Sequence, residues 1–219
     1  PMPRTPFDVE ALRKILQRMR SNSARGVDGW SVAELKALPD AILARLCTLL
    51  DAVDQTGRWP TGLQTGLVTM LDKGEGLLAT KLRPISVMSV LYRLWASFHM
   101  RHILEWQEEW ACAYMFGFRP HRGCEDAFWD TALDVEHALL MDEPLSGCSI
   151  DFQKAFDRVP RDIVFALAEH MGFPAQVLQA LKSMYCNLTR HFRIGAFVGK
   201  GFKSTRGILQ GCPLSVVLL

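Results

Sequence analysis

Ser149-Ile150-Asp151-Phe152-Gln153-Lys154-Ala155-Phe156-Asp157 is the stretch on which the reading of this chain turns. With the residues before it, Leu145 to Asp151 reads as a short buried strand that ends on a carboxylate. An apolar strand with an acid at its C-terminal end can hold a divalent cation where a substrate phosphate also reaches. Magnesium binds in this way, through one or two carboxylates plus substrate oxygens. Taken alone, the same residues also describe a turn capped by Asp151, with Asp157 opening the next helix. The flanking sequence has to decide between the two.

On the C-terminal side, Arg161 to Met171 and Pro174 to Tyr185 have helical spacing, broken at Gly172-Phe173. Thr189 to Phe202 alternates around Gly195, Gly199 and Gly201 like a hairpin, and Pro213 opens a last helix. On the N-terminal side, long helices are expected over Ser89 to Trp110 and Glu125 to Met141. Gly66 to Leu71 is a strand that turns at Asp72 to Gly76 and returns near Arg83-Pro84-Ile85-Ser86. Farther back, Asp40 to Thr56 is a helix, Ser31-Val32-Ala33-Glu34 is a capping box, and Arg25 to Gly29 is a turn. Thr5-Pro6-Phe7-Asp8 opens the first helix, with Thr5 as its cap. Helices and hairpins mix without a regular strand–helix alternation, which argues for an α+β fold over a doubly wound sheet. Gly74-x-Gly76-x-x-Ala79 mimics a dinucleotide fingerprint, but no helix opens there.

Composition bounds the rest. The 219 residues are 49% hydrophobic and 22% charged, which are globular proportions that exclude intrinsic disorder. No apolar run approaches the roughly 20 residues of a membrane helix, so no membrane partner is expected and the location is intracellular, with nucleus and cytoplasm both open. The net charge of +2 is unevenly distributed. Residues 170–219 carry six basic side chains (Lys182, Arg190, Arg193, Lys200, Lys203, Arg206) and no acid. Such a stretch is either a solvated face or a footprint for a polyanion. The six cysteines form no Cys-x-x-Cys pair, and neither His99-x-x-His102 nor His121-Arg122-Gly123-Cys124 has a second pair at zinc-finger spacing. Free thiols in a reducing compartment are expected. The opening Pro1-Met2-Pro3 and the closing Val216-Val217-Leu218-Leu219 suggest a piece of a longer protein.

Five blocks then fall in a known order. Asp151 to Asp157 resembles motif A of reverse transcriptases, in the form carried by non-LTR (LINE-like) retrotransposons and group II intron enzymes. Lys81-Leu82-Arg83-Pro84-Ile85-Ser86 is similar to the family's R-P-I-S motif. Phe116-Gly117-Phe118-Arg119-Pro120-His121-Arg122 is similar to its G-F-R-P-x-R motif. Arg206-Gly207-Ile208-Leu209-Gln210-Gly211-Cys212-Pro213-Leu214-Ser215 is similar to motif B, and Arg25 to Gly29 to the block preceding the fingers. The resemblance implies right-hand polymerase fingers plus an incomplete palm. Residues 1–65 would be an N-terminal helical extension, 66–145 fingers with part of the palm, and 146–219 a partial palm.

It also implies roles. Asp151 would be the catalytic acid and metal ligand, helped by the backbone carbonyl of Phe152, with two Mg2+ ions in the full-length parent. Lys73, Arg83, Phe156, Gln210 and Gly211 would contact the incoming deoxynucleoside triphosphate, with Lys81 a further candidate. Phe156 would lie under the sugar and exclude a 2′-hydroxyl; without the motif it is an ordinary core phenylalanine. Arg119, Arg122, Arg190, Arg193, Lys200 and Lys203 would hold RNA template and DNA primer. Val216 departs from the proline that the family carries after Ser215, and the (Tyr/Phe)-Ala-Asp-Asp turn and thumb would lie beyond Leu219. The implied activity is deoxynucleotide addition to a primer 3′-hydroxyl. A truncated relic that only binds nucleic acid, and a group II intron maturase, are the alternatives.

Overall fold

In the computed structural model, residues 5–72, 74, 76, 78 and 81–219 are described. Three helices lead: α1 (Val9–Arg18), α2 (Val32–Ala37) and α3 (Asp40–Thr56). The cap of α1 is Asp8, not Thr5. Its carboxylate accepts the Ala11 N–H at 2.7 Å, while Phe7 tucks into the core and stacks on Phe98. Ser31 and Glu34 form the expected capping box on α2. α3 buries Leu43, Leu46, Cys47, Leu50 and Val53 along one face, and Gly57 closes it in the left-handed conformation.

Four strands follow: β1 (Thr65–Leu71), β2 (Arg83–Val87), β3 (Thr189–Ile194) and β4 (Phe197–Phe202). They form one sheet in the order β2-β1-β3-β4, mixed in direction. β1 is antiparallel to β2 and parallel to β3, with Leu67 opposite His191. The long α4 (Val90–Trp110) runs through the core, and α7 (Arg161–His170) and α8 (Ala175–Asn187) complete it. Leu12, Leu43, Leu50, Tyr92, Trp95, Leu181 and Met184 meet there, so the N-terminal helices share one core with the C-terminal half. A buried carboxylate organises its centre. Asp54, 1% exposed, accepts the Trp95 indole N–H at 2.7 Å and lies 3.0 Å from His99 Nε2.

Two segments depart from this packing. α5 (Cys124–Met141) spans the expected helix but buries little beyond Ala138. Phe128, Trp129, Leu133, Leu139 and Leu140 stand exposed among its acids. The strand expected over Leu145 to Asp151 is absent. Residues 143–152 carry no regular structure, and Ile150 is 76% exposed. The physical reason is pairing: no described strand pairs with this segment, and an isolated strand leaves its N–H and C=O groups without partners. After it, Lys154 takes the left-handed conformation and starts the single turn α6 (Ala155–Arg158).

Candidate active site

The loop 204–212, between β4 and a short 3-10 turn at Pro213–Val216, is pinched between β2 and the α6 turn. On one side the Ser86 N–H donates to the Gln210 carbonyl at 2.8 Å. On the other, the Gly207 and Ile208 N–H groups donate to the carbonyls of Val159 and Phe156, at 2.8 and 2.7 Å. Two glycines permit this approach. Gly207 and Gly211 both have positive φ (78° and 109°), and a Cβ would lie 2.7 Å from the Asp157 carbonyl at Gly207 and 2.8 Å from the Ser86 carbonyl at Gly211.

The pinch borders an open cleft of about 430 Å3. Arg83 reaches it from β2, Phe156 from α6, and Gln210 and Gly211 from the loop; Phe118, Phe152 and Asp157 are among the other residues of the wall. The Gln210 side-chain amide donates to the Asp157 carboxylate at 3.3 Å, which fixes its orientation. Phe156 is half-buried and packs against the core, so its ring position is set from behind. Four nucleotide-site residues expected from sequence therefore come together from three separate segments. Lys73 lies outside the described residues, and Lys81 is exposed.

Asp151 is exposed in the irregular segment, next to Phe152, which is 77% exposed. Its carboxylate and the Phe152 carbonyl are hard oxygen donors, the kind magnesium takes. Among the described residues no three His, Cys, Asp or Glu side chains converge as a metal cluster. The donors fit one hard cation in kind but fall short of a two-ion set.

The basic residues divide. Arg119 is buried rather than free. It forms a two-pronged ion pair with Glu108 (2.8 and 2.7 Å) and donates to the carbonyls of Cys112 and Met115. This pairing holds the Glu108 carboxyl below its ordinary value. Four of the five guanidinium N–H groups are thus used to hold the 111–119 turn, which removes Arg119 from a free template surface. Arg122 is exposed and bonds the Ala113 carbonyl. Arg190 stacks over the Phe202 ring at 5.2 Å, half-buried, and burial with the nearby charge of Arg161 pushes its pKa down. Lys200 and Lys203 are exposed and Arg193 partly so. His99 and His102 pair with Asp54 and Glu105. A larger cleft, about 850 Å3 beside His99, Phe173 and Lys182, is lined by none of the motif residues.

Three residues that the sequence did not single out for the site belong to its frame: Asp157, Arg161 and Tyr185. The Tyr185 hydroxyl accepts the Leu209 N–H at 3.0 Å and bonds the Ser215 hydroxyl. Asp157 could have been found from its place in motif A, but nothing in composition or period marks the other two.

Residues 71–219 match the family model described as reverse transcriptase (RNA-dependent DNA polymerase). The chain is 25% identical over 215 residues to the uncharacterized 149 kDa protein of transposon TX1 from Xenopus laevis, covering 96% of this chain and 16% of that protein. It is 23% identical over 225 residues to the probable RNA-directed DNA polymerase from transposon X-element of Drosophila melanogaster, covering 99% of this chain and 24% of the relative. The corresponding protein of transposon BS, from the same fly, is 26% identical over 186 residues, 83% of this chain and 20% of the relative. The chain thus spans a quarter or less of these relatives, yet the family model covers well over half of it, from the end of β1 through motif B, and the chain belongs to the reverse transcriptase family.

Proposed function

We propose that this chain is the nucleotide-receiving part of a retroelement RNA-directed DNA polymerase: a helical extension (1–65), fingers (66–145) and part of the palm (146–219). The observation that carries the reading is the convergence of Arg83, Phe156, Gln210 and Gly211 on one cavity, beside the segment that bears Asp151. Arg83 meets the triphosphate by charge-assisted hydrogen bonds. Phe156 closes the space where a 2′-hydroxyl would sit, while Gln210, oriented by Asp157, and Gly211 border the base. Asp151 and the Phe152 carbonyl would hold magnesium, which activates the primer 3′-hydroxyl and neutralises the phosphates. Arg122, Arg193, Lys200 and Lys203 supply phosphate contacts to template and primer that hold without reading sequence.

A second reading, a nucleic-acid binder without chemistry, is favoured by the absence, among the described residues, of a three-ligand metal cluster around Asp151. Primer extension separates the two. With magnesium, and again with manganese, the 219-residue chain is expected to extend nothing, because one carboxylate does not fix two mutually repelling cations. The complete protein that carries the chain is expected to extend an RNA-templated primer and to lose this with Asp151→Ala. No extension by the complete protein leaves the binding-only reading. Extension by the 219-residue chain that Asp151→Ala abolishes would mean that the catalytic acids have been misplaced.

A further inference from the structure

Arg161, the first residue of α7, is 9% exposed, and its side chain reaches across to the loop that carries Gln210 and Gly211. Nε donates to the Gly207 carbonyl at 2.6 Å and Nη2 to the Arg206 carbonyl at 3.0 Å. Nη1 serves the carbonyls of Ser204 and Tyr185. The guanidinium lies 5.0 Å over the Tyr185 ring, and it is the hydroxyl of that same tyrosine that accepts the Leu209 N–H. One buried cation therefore ties together 204, 206 and 207, and its stacking partner ties 209.

The chemistry suits this use. Those four acceptors are all backbone carbonyls, so the charge is met by dipoles rather than by a carboxylate. A flat fork with five donors in fixed directions can collect several such carbonyls at once, whereas a lysine ammonium offers three donors at one point. If this position only filled space, an apolar side chain would serve without the loss of hydration that a buried cation suffers. Three of the four bonds secure the course of a loop whose next residues line the nucleotide cavity, and the fourth, to the Tyr185 carbonyl, anchors the guanidinium to α8.

We propose that Arg161 is a positioning residue for nucleotide addition: it holds the 204–209 backbone so that Gln210 and Gly211 face the incoming nucleotide. The inference rests on the polymerase reading of the cavity. Misplacing a binding wall by an ångström weakens substrate fit more than it weakens remote phosphate contacts.

The test uses the complete protein that carries this chain, with Arg161→Lys, Arg161→Ala and the milder Tyr185→Phe. For Arg161→Lys the KM for deoxynucleoside triphosphate is expected to rise about tenfold, with the Kd for template–primer within about twofold of wild type. Tyr185→Phe moves KM in the same direction by less. Methylguanidinium added to Arg161→Ala restores part of the loss. Amide hydrogen exchange gives a readout independent of turnover: Gly207, Ile208 and Leu209 exchange faster while the α4 amides keep their protection.

A purely structural arginine would lower the active fraction at unchanged KM and speed exchange across the whole core, and that result overturns the proposal. Unchanged KM with unchanged loop exchange overturns it as well. If the wild-type protein extends no primer, the polymerase reading falls. Exchange at Gly207 to Leu209 then decides by itself whether Arg161 holds the loop, and equal rates in wild type and Arg161→Lys reject it.

Discussion

Phe156 does two jobs with one ring. It packs on the core and also lines the cavity proposed to receive the nucleotide, so the core holds the ring in place there. Phe156→Ala in the complete protein is expected to raise ribonucleotide over deoxynucleotide incorporation by an order of magnitude or more, since the rejection is steric. Template affinity should stay within about twofold. The ratio of the two kcat/KM values measures it, and an unchanged ratio returns Phe156 to the core alone. That Arg83, Phe156, Gln210 and Gly211 would meet was legible because each sits at a fixed place in a motif, and they do line one cavity. Arg161 and Tyr185 were not legible, because most of their partners are main-chain atoms 24 to 46 residues away, and any sequence supplies a backbone N–H or carbonyl.

Secondary elements show the same division. Helices α3, α4 and α5 and the β3–β4 hairpin follow from local period and glycine placement, and the chain forms them within a residue or two of expectation. Leu145 to Asp151 does not, because a strand is a relation between two segments and apolar content specifies only one of them. The hairpin carries the salt prediction. Arg190 is occupied by Phe202, whereas Arg193, Lys200 and Lys203 keep exposed charge. Neutralising these three together is expected to reduce the slope of log affinity against log salt for an RNA–DNA hybrid by about two to three units. Arg190→Gln alone should leave the slope nearly unchanged. Titrations at four salt concentrations suffice, and equal slopes would make the hairpin a solvated surface.

Across the whole molecule, the centre of the core and the cavity proposed for the nucleotide lie in different places. The core centres on Asp54, Trp95 and His99, whereas the cavity lined by Arg83, Phe156 and Gln210 lies between β2, α6 and the 204–212 loop. Asp54→Ala strands the indole N–H of Trp95 and the His99 ring without their acceptor. A loss of about 3 kcal/mol follows from removing the acceptor that two buried groups share, and urea unfolding reads it as a lower midpoint. The KM for nucleotide is expected to hold in the fraction that remains folded. A loss under about 1 kcal/mol would show that water replaces the carboxylate there.

The parallel pairing of β1 with β3 also sets an order of events during synthesis. Thr65 to Leu71 must wait for Thr189 to Ile194, so one flank of β1 stays open while 117 intervening residues emerge. At about 5–20 residues per second, that is roughly 6 to 24 seconds on the ribosome. The helical half of the core can gather in that interval, but the sheet cannot close. The exposed apolar side chains of α5 emerge within the same window. The nascent chain therefore passes through a stage with an unpaired strand edge and a greasy helix exposed together, the stage at which a chaperone would find the most to hold.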